Sequence, residues 1–207
     1  MTHLLALVAV ALFAVRILLF ALLHVRPGGI DPVRDTVSDY AASREPGTRR
    51  IAGIASWTAS AAWVALGLAA LAVPGPEGTG VGIWLLVLAG VLAVMPMVPT
   101  DGPDAPVTMR GRAHLLLAIA WFTIAYSTIG PLGDLLGDGS GARGGRGLAV
   151  PWLYDGVHTL AAIALAALVI SLVVRALRRR TFGLAERAFI LLVTLAPLLA
   201  ATGLAVR

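Results

Sequence analysis

Apolar residues along this chain fall into six long runs: Leu4–Val25, Ile51–Val73, Val81–Val98, Ala113–Gly133, Trp152–Leu177 and Glu186–Val206. A hydrocarbon layer of about 30 Å is crossed by about 20 apolar residues in a helix. Lipid offers the backbone no hydrogen-bond partner, so each run must satisfy its own N–H and C=O groups. The pattern therefore predicts an all-α fold, an integral membrane bundle of six transmembrane helices, forming one domain over residues 1–207. Turns are expected at Pro27-Gly28-Gly29, Pro46-Gly47, Pro74-Gly75-Pro76 and the glycine-rich run Gly137–Gly147. The first run lacks a basic leader, contains Arg16 and is too long for a signal peptide, so it is expected to stay as the first helix. Pro197 is expected to kink the sixth.

Six crossings put both termini on one side, and the loops then sort by charge. Twelve of the sixteen arginines lie in three alternate connections, 26–50, 99–112 and 175–187. The opposite face has Arg143, Arg146 and Arg207. The positive-inside rule places the arginine-rich loops in the cytoplasm and both termini outside, as for a multi-pass plasma-membrane protein. Trp84, Trp152 and Tyr154 then fall near the outer interface, where amphipathic rings prefer to sit.

Composition narrows the chemistry. Hydrophobic residues make up 58% of the chain and charged residues 13%, which leaves little material for a soluble module. The absence of cysteine excludes disulfides, thiolate catalysis and cysteine-held metal. The basic balance comes from arginines beside apolar spans, so the expected partners are the bilayer and its anionic headgroups rather than nucleic acid. No cofactor is indicated. Neither a G-x-S-x-G elbow nor a phosphate-binding P-loop is present.

A few polar residues stand out against this background. Thr36-Val37-Ser38-Asp39 has the form of a capping box; the functional alternative has Ser38 and Asp39 facing a headgroup or small ligand at the inner mouth. Asp101 follows the third run, beside a negative helix end, and so needs a partner. Arg110 or Arg112 would supply a salt bridge. The alternative is a metal or proton site from Asp101, Asp104 and His114, with His24 as a further ligand. Asp155 and His158, three residues apart, share a helix face and form a second candidate site. Arg16 is the anomaly, since an arginine near mid-membrane costs about 2.5 kcal/mol or more unless it snorkels or pairs. It needs carbonyls, hydroxyls such as Ser60 or Tyr126, a wet cavity or a bound anion.

Val37-Ser38-Asp39-Tyr40, Gly67, Pro99-Thr100-Asp101 and His114, spread across six spans, resemble the bacterial membrane family catalogued as domain of unknown function 998. Tyr40-Ala41 stands where that family tends to Leu-Gly. The resemblance covers nearly the whole chain and carries no settled activity; it implies only that Ser38, Asp101 and His114 are worth testing together. A more distant likeness is to membrane hydrolases of the alkaline ceramidase kind, which gather three histidines on zinc. The topology here puts His24 and His114 on one side and His3 and His158 on the other.

The leading expectation is a non-enzymatic membrane protein with a polar cytoplasmic vestibule of Ser38, Asp39, Asp101 and His114, handling lipid or a small solute. A lipid hydrolase or transferase would use His114 as general base with Asp101. A small transporter would use Arg16 as its anion site.

Overall fold

Each apolar run folds as a helix long and apolar enough to cross a bilayer. The structure, a computed structural model, describes residues 1–26, 29–98, 100–101, 106–137 and 151–206. Asp104, Arg143, Arg146 and Arg207 lie outside the described residues. The elements are α1 (Thr2–Val25), α2 (Asp39–Ala42), α3 (Pro46–Leu71), α4 (Pro76–Val94), α5 (Met109–Ser127), α6 (Ile129–Gly137), α7 (Pro151–Val173) and α8 (Arg175–Ala205). A 3₁₀ turn, Met95–Met97, follows α4. Among the described residues there is no strand.

Three boundaries differ from the sequence reading, each for a local reason. Pro46 and Pro76, expected in turns, begin α3 and α4. At a first helical position proline loses nothing, because that N–H has no partner within the helix anyway. The fourth run divides into α5 and α6 at Thr128, whose hydroxyl bonds the Ala125 carbonyl. Pro131 then falls in the first turn of α6, where the missing N–H is tolerated.

The arginine-rich segment 175–187 is helix rather than loop. Only Val174 interrupts it from α7, in an extended conformation (φ −87°, ψ 102°). Arginine, leucine and alanine all favour helix, so α8 continues for 31 residues. At about 1.5 Å per residue it outruns a hydrocarbon layer of about 30 Å. Pro197 is fully buried within it, and the helix continues past it.

Small side chains set the tightest packing. In the α3–α4 hairpin a Cβ on Gly82 would meet the Gly67 carbonyl at 2.8 Å and Leu71 Cγ at 2.6 Å. Ser60 adds a hydroxyl bond to the Ala89 carbonyl at 2.9 Å. Phe13 of α1 packs edge-on against Trp63 of α3, with centroids 5.2 Å apart. Tyr154, expected at an interface, is instead buried, and its hydroxyl donates to the Ile129 carbonyl at 2.6 Å. Trp84 and Trp152 remain exposed.

His3 Nδ1 lies 2.5 Å from the Ala205 carbonyl, so the first and last helices bring the chain termini to one end of the bundle. The loop after α1 and the start of α8 meet at the opposite, arginine-rich end.

Candidate functional site

At the arginine-rich end, residues 29–43 fold down onto α8. Four residues of α8 hold them there. Gly183 lets the loop approach closely, because a Cβ at this position would overlap the Asp35 carbonyl. Leu184 N–H donates to the Val33 carbonyl at 3.1 Å. Glu186 Oε2 accepts the Val37 N–H at 2.8 Å. Arg187 completes the attachment. Its Nη1 donates to the Asp35 and Gly183 carbonyls, its Nε donates to His24 Nε2 at 2.9 Å, and its guanidinium lies over the Tyr40 ring.

Under this loop is a cavity of about 210 Å³, lined by Arg16, Ser38, Arg49, His114, Trp121 and Glu186 among others. Helix periodicity explains why they converge. His114, Ala118 and Trp121 are spaced by four and three residues on α5, and Glu186 and Ile190 by four on α8, so each set shares one face.

Arg16 is buried, and its Nη1 donates to the Ala55 carbonyl at 2.7 Å. A carbonyl, rather than Ser60 or Tyr126, is thus its partner. His114 is also buried, with Nδ1 2.7 Å from the Val98 carbonyl. A carbonyl only accepts, so Nδ1 carries a proton, and in the neutral ring Nε2 is an acceptor. His114 Nε2 and Trp121 Nε1 are enclosed without a hydrogen-bond partner among the described residues. Arg34–Asp31 is the only ion pair among the described residues, so Arg16 and Glu186 both lack an opposite charge within 4 Å. Buried charges are normally paired.

The other candidates lie elsewhere. Asp39 is buried beside the cavity but does not line it. Its Oδ2 accepts from Thr36 N at 2.6 Å and Thr36 Oγ1 at 2.8 Å, the reach-back half of a capping box. Burial holds its carboxyl above the usual range, against the pull of those bonds. Ser38 Oγ lies 3.1 Å from Thr36 Oγ1.

Asp101 is bonded to neither Arg110 nor Arg112. Its carboxylate takes the Thr108 hydroxyl at 2.7 Å and the Thr108 N–H at 2.8 Å. These two bonds hold its carboxyl below the usual range. Thr108 in turn caps α5, accepting the Gly111 N–H at 3.1 Å. Thr108 offers two donors that the helix start fixes in place.

His24 has both ring nitrogens engaged, Nδ1 with the Phe20 carbonyl and Nε2 with Arg187. Among the described residues no three His, Asp or Glu side chains converge as metal ligands. Asp155 is exposed, and His158 rests against Tyr126 with centroids 5.6 Å apart rather than bonding Asp155.

Glu186, Arg187 and Trp121 were not singled out from the sequence. For Glu186 the signal was helical register: Glu186, Ile190, Val193 and Pro197 continue one buried stripe of α8.

The profile of a family described as "Protein of unknown function (DUF998)" matches residues 6–203. The chain belongs to this family. Among curated proteins and among solved structures nothing matches. The DUF998 profile covers every helix, the loop over the cavity included, while its description names no activity. The cavity therefore has to be read from its own chemistry.

Proposed function

We propose that this protein is a single-domain receptor in the plasma membrane that binds the anionic headgroup of a lipid or small amphiphile beneath its first loop. In this reading the arginine-rich end faces the cytoplasm, both termini lie outside, and the exposed arginines contact anionic headgroups. One observation carries it: the Arg16 guanidinium is buried against a cavity with, among the described residues, one hydrogen bond and no counter-ion. A cation kept in that state is favourable where an anion completes it.

A cavity of about 210 Å³ lies below the usual 300–1,000 Å³ of small-molecule sites. It suits a headgroup better than a whole lipid. Exposed Pro96 and half-buried Ala118 also line it, which supports an opening toward the bilayer between α4 and α5 for the remainder of an amphiphile.

The hydrolase reading draws on His114, whose Nε2 is the right atom for a general base. Asp101 supports it less, being bonded to Thr108, and Ser38 is engaged with Thr36. Binding is therefore favoured over bond cleavage. The transporter reading uses the same Arg16 and differs only in release to the far side.

The test is retention of anionic lipid by the purified full chain, read by native mass spectrometry. Wild type should carry phosphate-bearing lipid through purification and Arg16→Met should lose it, without flux of small anions in proteoliposomes. Equal retention by both proteins sinks the proposal. Reporter fusions at either terminus should be active outside the cell; activity inside would reverse the orientation.

A further inference from the structure

Resting on that reading, we infer that the preferred ligand is zwitterionic: a phosphate joined to a primary ammonium through a short linker, as in an aminoethyl phosphate headgroup. An anion site alone would need only donors. Here Arg16, Arg49 and the Trp121 N–H supply donors, but Glu186 and His114 place acceptors on the same cavity. Glu186 uses Oε2 on Val37, and Oε1 accepts nothing among the described residues. His114 Nε2, an acceptor in the neutral ring, is enclosed without a partner among the described residues.

Charge leads to the same conclusion. Arg16 and Glu186 are both buried and line one cavity, yet they are not within ion-pair distance of each other. A simple anion would complete Arg16 and add its field to an already unpaired carboxylate. A simple cation would do the reverse. A ligand with both charges completes both walls and brings no net charge into a low-dielectric site.

Size agrees: a cavity of about 210 Å³, below the usual range of small-molecule sites, suits a compact headgroup. The primary ammonium matters because three N–H donors can serve Glu186 and His114 together. A trimethylated ammonium has no donor.

The experiment measures equilibrium binding of short-chain phospholipids to the full chain in neutral detergent. Dihexanoyl phosphatidylethanolamine should bind about tenfold more tightly than the phosphatidylglycerol or phosphatidylcholine analogue, the gain expected of one charge-assisted hydrogen bond. Glu186→Gln keeps an oxygen for Val37 and should erase that preference, by weakening phosphatidylethanolamine and, with the field of the carboxylate removed, strengthening phosphatidylglycerol. Arg16→Met should weaken all three.

Soluble O-phosphoethanolamine is run alongside. If it matches the lipid and shows the same Glu186 dependence, the zwitterion stands and its source is a free solute. Equal affinity of wild type for the ethanolamine and glycerol headgroups, or equal weakening of both by Glu186→Gln, overturns the zwitterion but leaves the Arg16 anion site. No binding of any phosphate-bearing probe overturns the anion site as well. The comparison of the three headgroups on wild type needs no variant and remains decisive if Glu186→Gln does not fold.

Discussion

Arg187 donates through Nε to His24 Nε2 across 2.9 Å, joining the beginning of the last span to the end of the first. Its Nη1 also reaches the Asp35 carbonyl. One buried guanidinium thus fixes three segments distant in sequence, and with them the loop that covers the cavity.

Replacing Arg187 by leucine should leave His24 Nε2 and the Asp35 carbonyl unmatched. A buried polar group without its partner costs about 1–3 kcal/mol. Thermal unfolding in detergent should fall accordingly, and amide exchange over residues 33–40 should accelerate. Arg187→Lys should recover little, because one ammonium cannot reproduce the planar fork that serves both acceptors. If Arg187→Leu unfolds at the wild-type temperature, the loop is held by something else.

Asp39 and Asp101 should shift stability with pH in opposite senses. The Asp101 carboxyl is held below the usual value of about 3.9 by its Thr108 bonds. Its stabilising effect is present above that value and is lost as pH falls through the lowered one. The Asp39 carboxyl is held above the usual value by burial. Ionising it works against folding, so stability declines as pH rises from the usual value through the raised one. Melting temperatures across pH should therefore show Asp39→Asn gaining on wild type as pH increases above about 4. Thr108→Val should show less acid-side loss than wild type. A flat difference between Asp39→Asn and wild type would contradict the first expectation.

The spans were legible because length and hydropathy are properties of a contiguous segment. The contents of the site were not, because each depends on a meeting between segments. Arg16 declared itself as an anomaly, yet its partner is a backbone carbonyl, a group that every residue carries. Asp101 advertised a need for a cation, and geometry gave it Thr108 instead. Glu186 and Arg187 border an apolar run and so looked like its end. They are buried only because residues 29–43 fold over them. Ser38, His114 and Arg16 do line one cavity, whereas Asp39 and Asp101 lie outside it.

The α3–α4 hairpin offers a paired test of packing. A methyl group on Gly82 would press into Leu71 and the Gly67 carbonyl, whereas nothing lies within 4 Å of one on Gly90. Overpacking costs about 1–3 kcal/mol, so Gly82→Ala should destabilise by that order. Gly90→Ala should be neutral or stabilising by up to about 1 kcal/mol, since alanine restricts the unfolded chain and favours helix. Equal effects of the two substitutions on thermal unfolding would mean that the close approach of α3 and α4 does not matter.

Arg16 gives the sharpest separation of function from folding. It lies within α1, buried, and among the described residues it has no counter-ion and one bond, to a carbonyl in the interior of α3. A regular helix already supplies that carbonyl with an N–H four residues on. Removing the guanidinium therefore takes away a second bond and leaves no acceptor orphaned. Methionine has similar reach and adapts to irregular space, and replacing unpaired buried charge by apolar volume is commonly neutral or stabilising. Arg16→Met should thus melt at or above the wild-type temperature without ligand, while phosphate-bearing lipid should raise the melting point of wild type and not that of the variant. A residue kept for architecture would behave oppositely: Arg16→Met would unfold several degrees early, and any lipid-induced rise would persist in the fraction that folds.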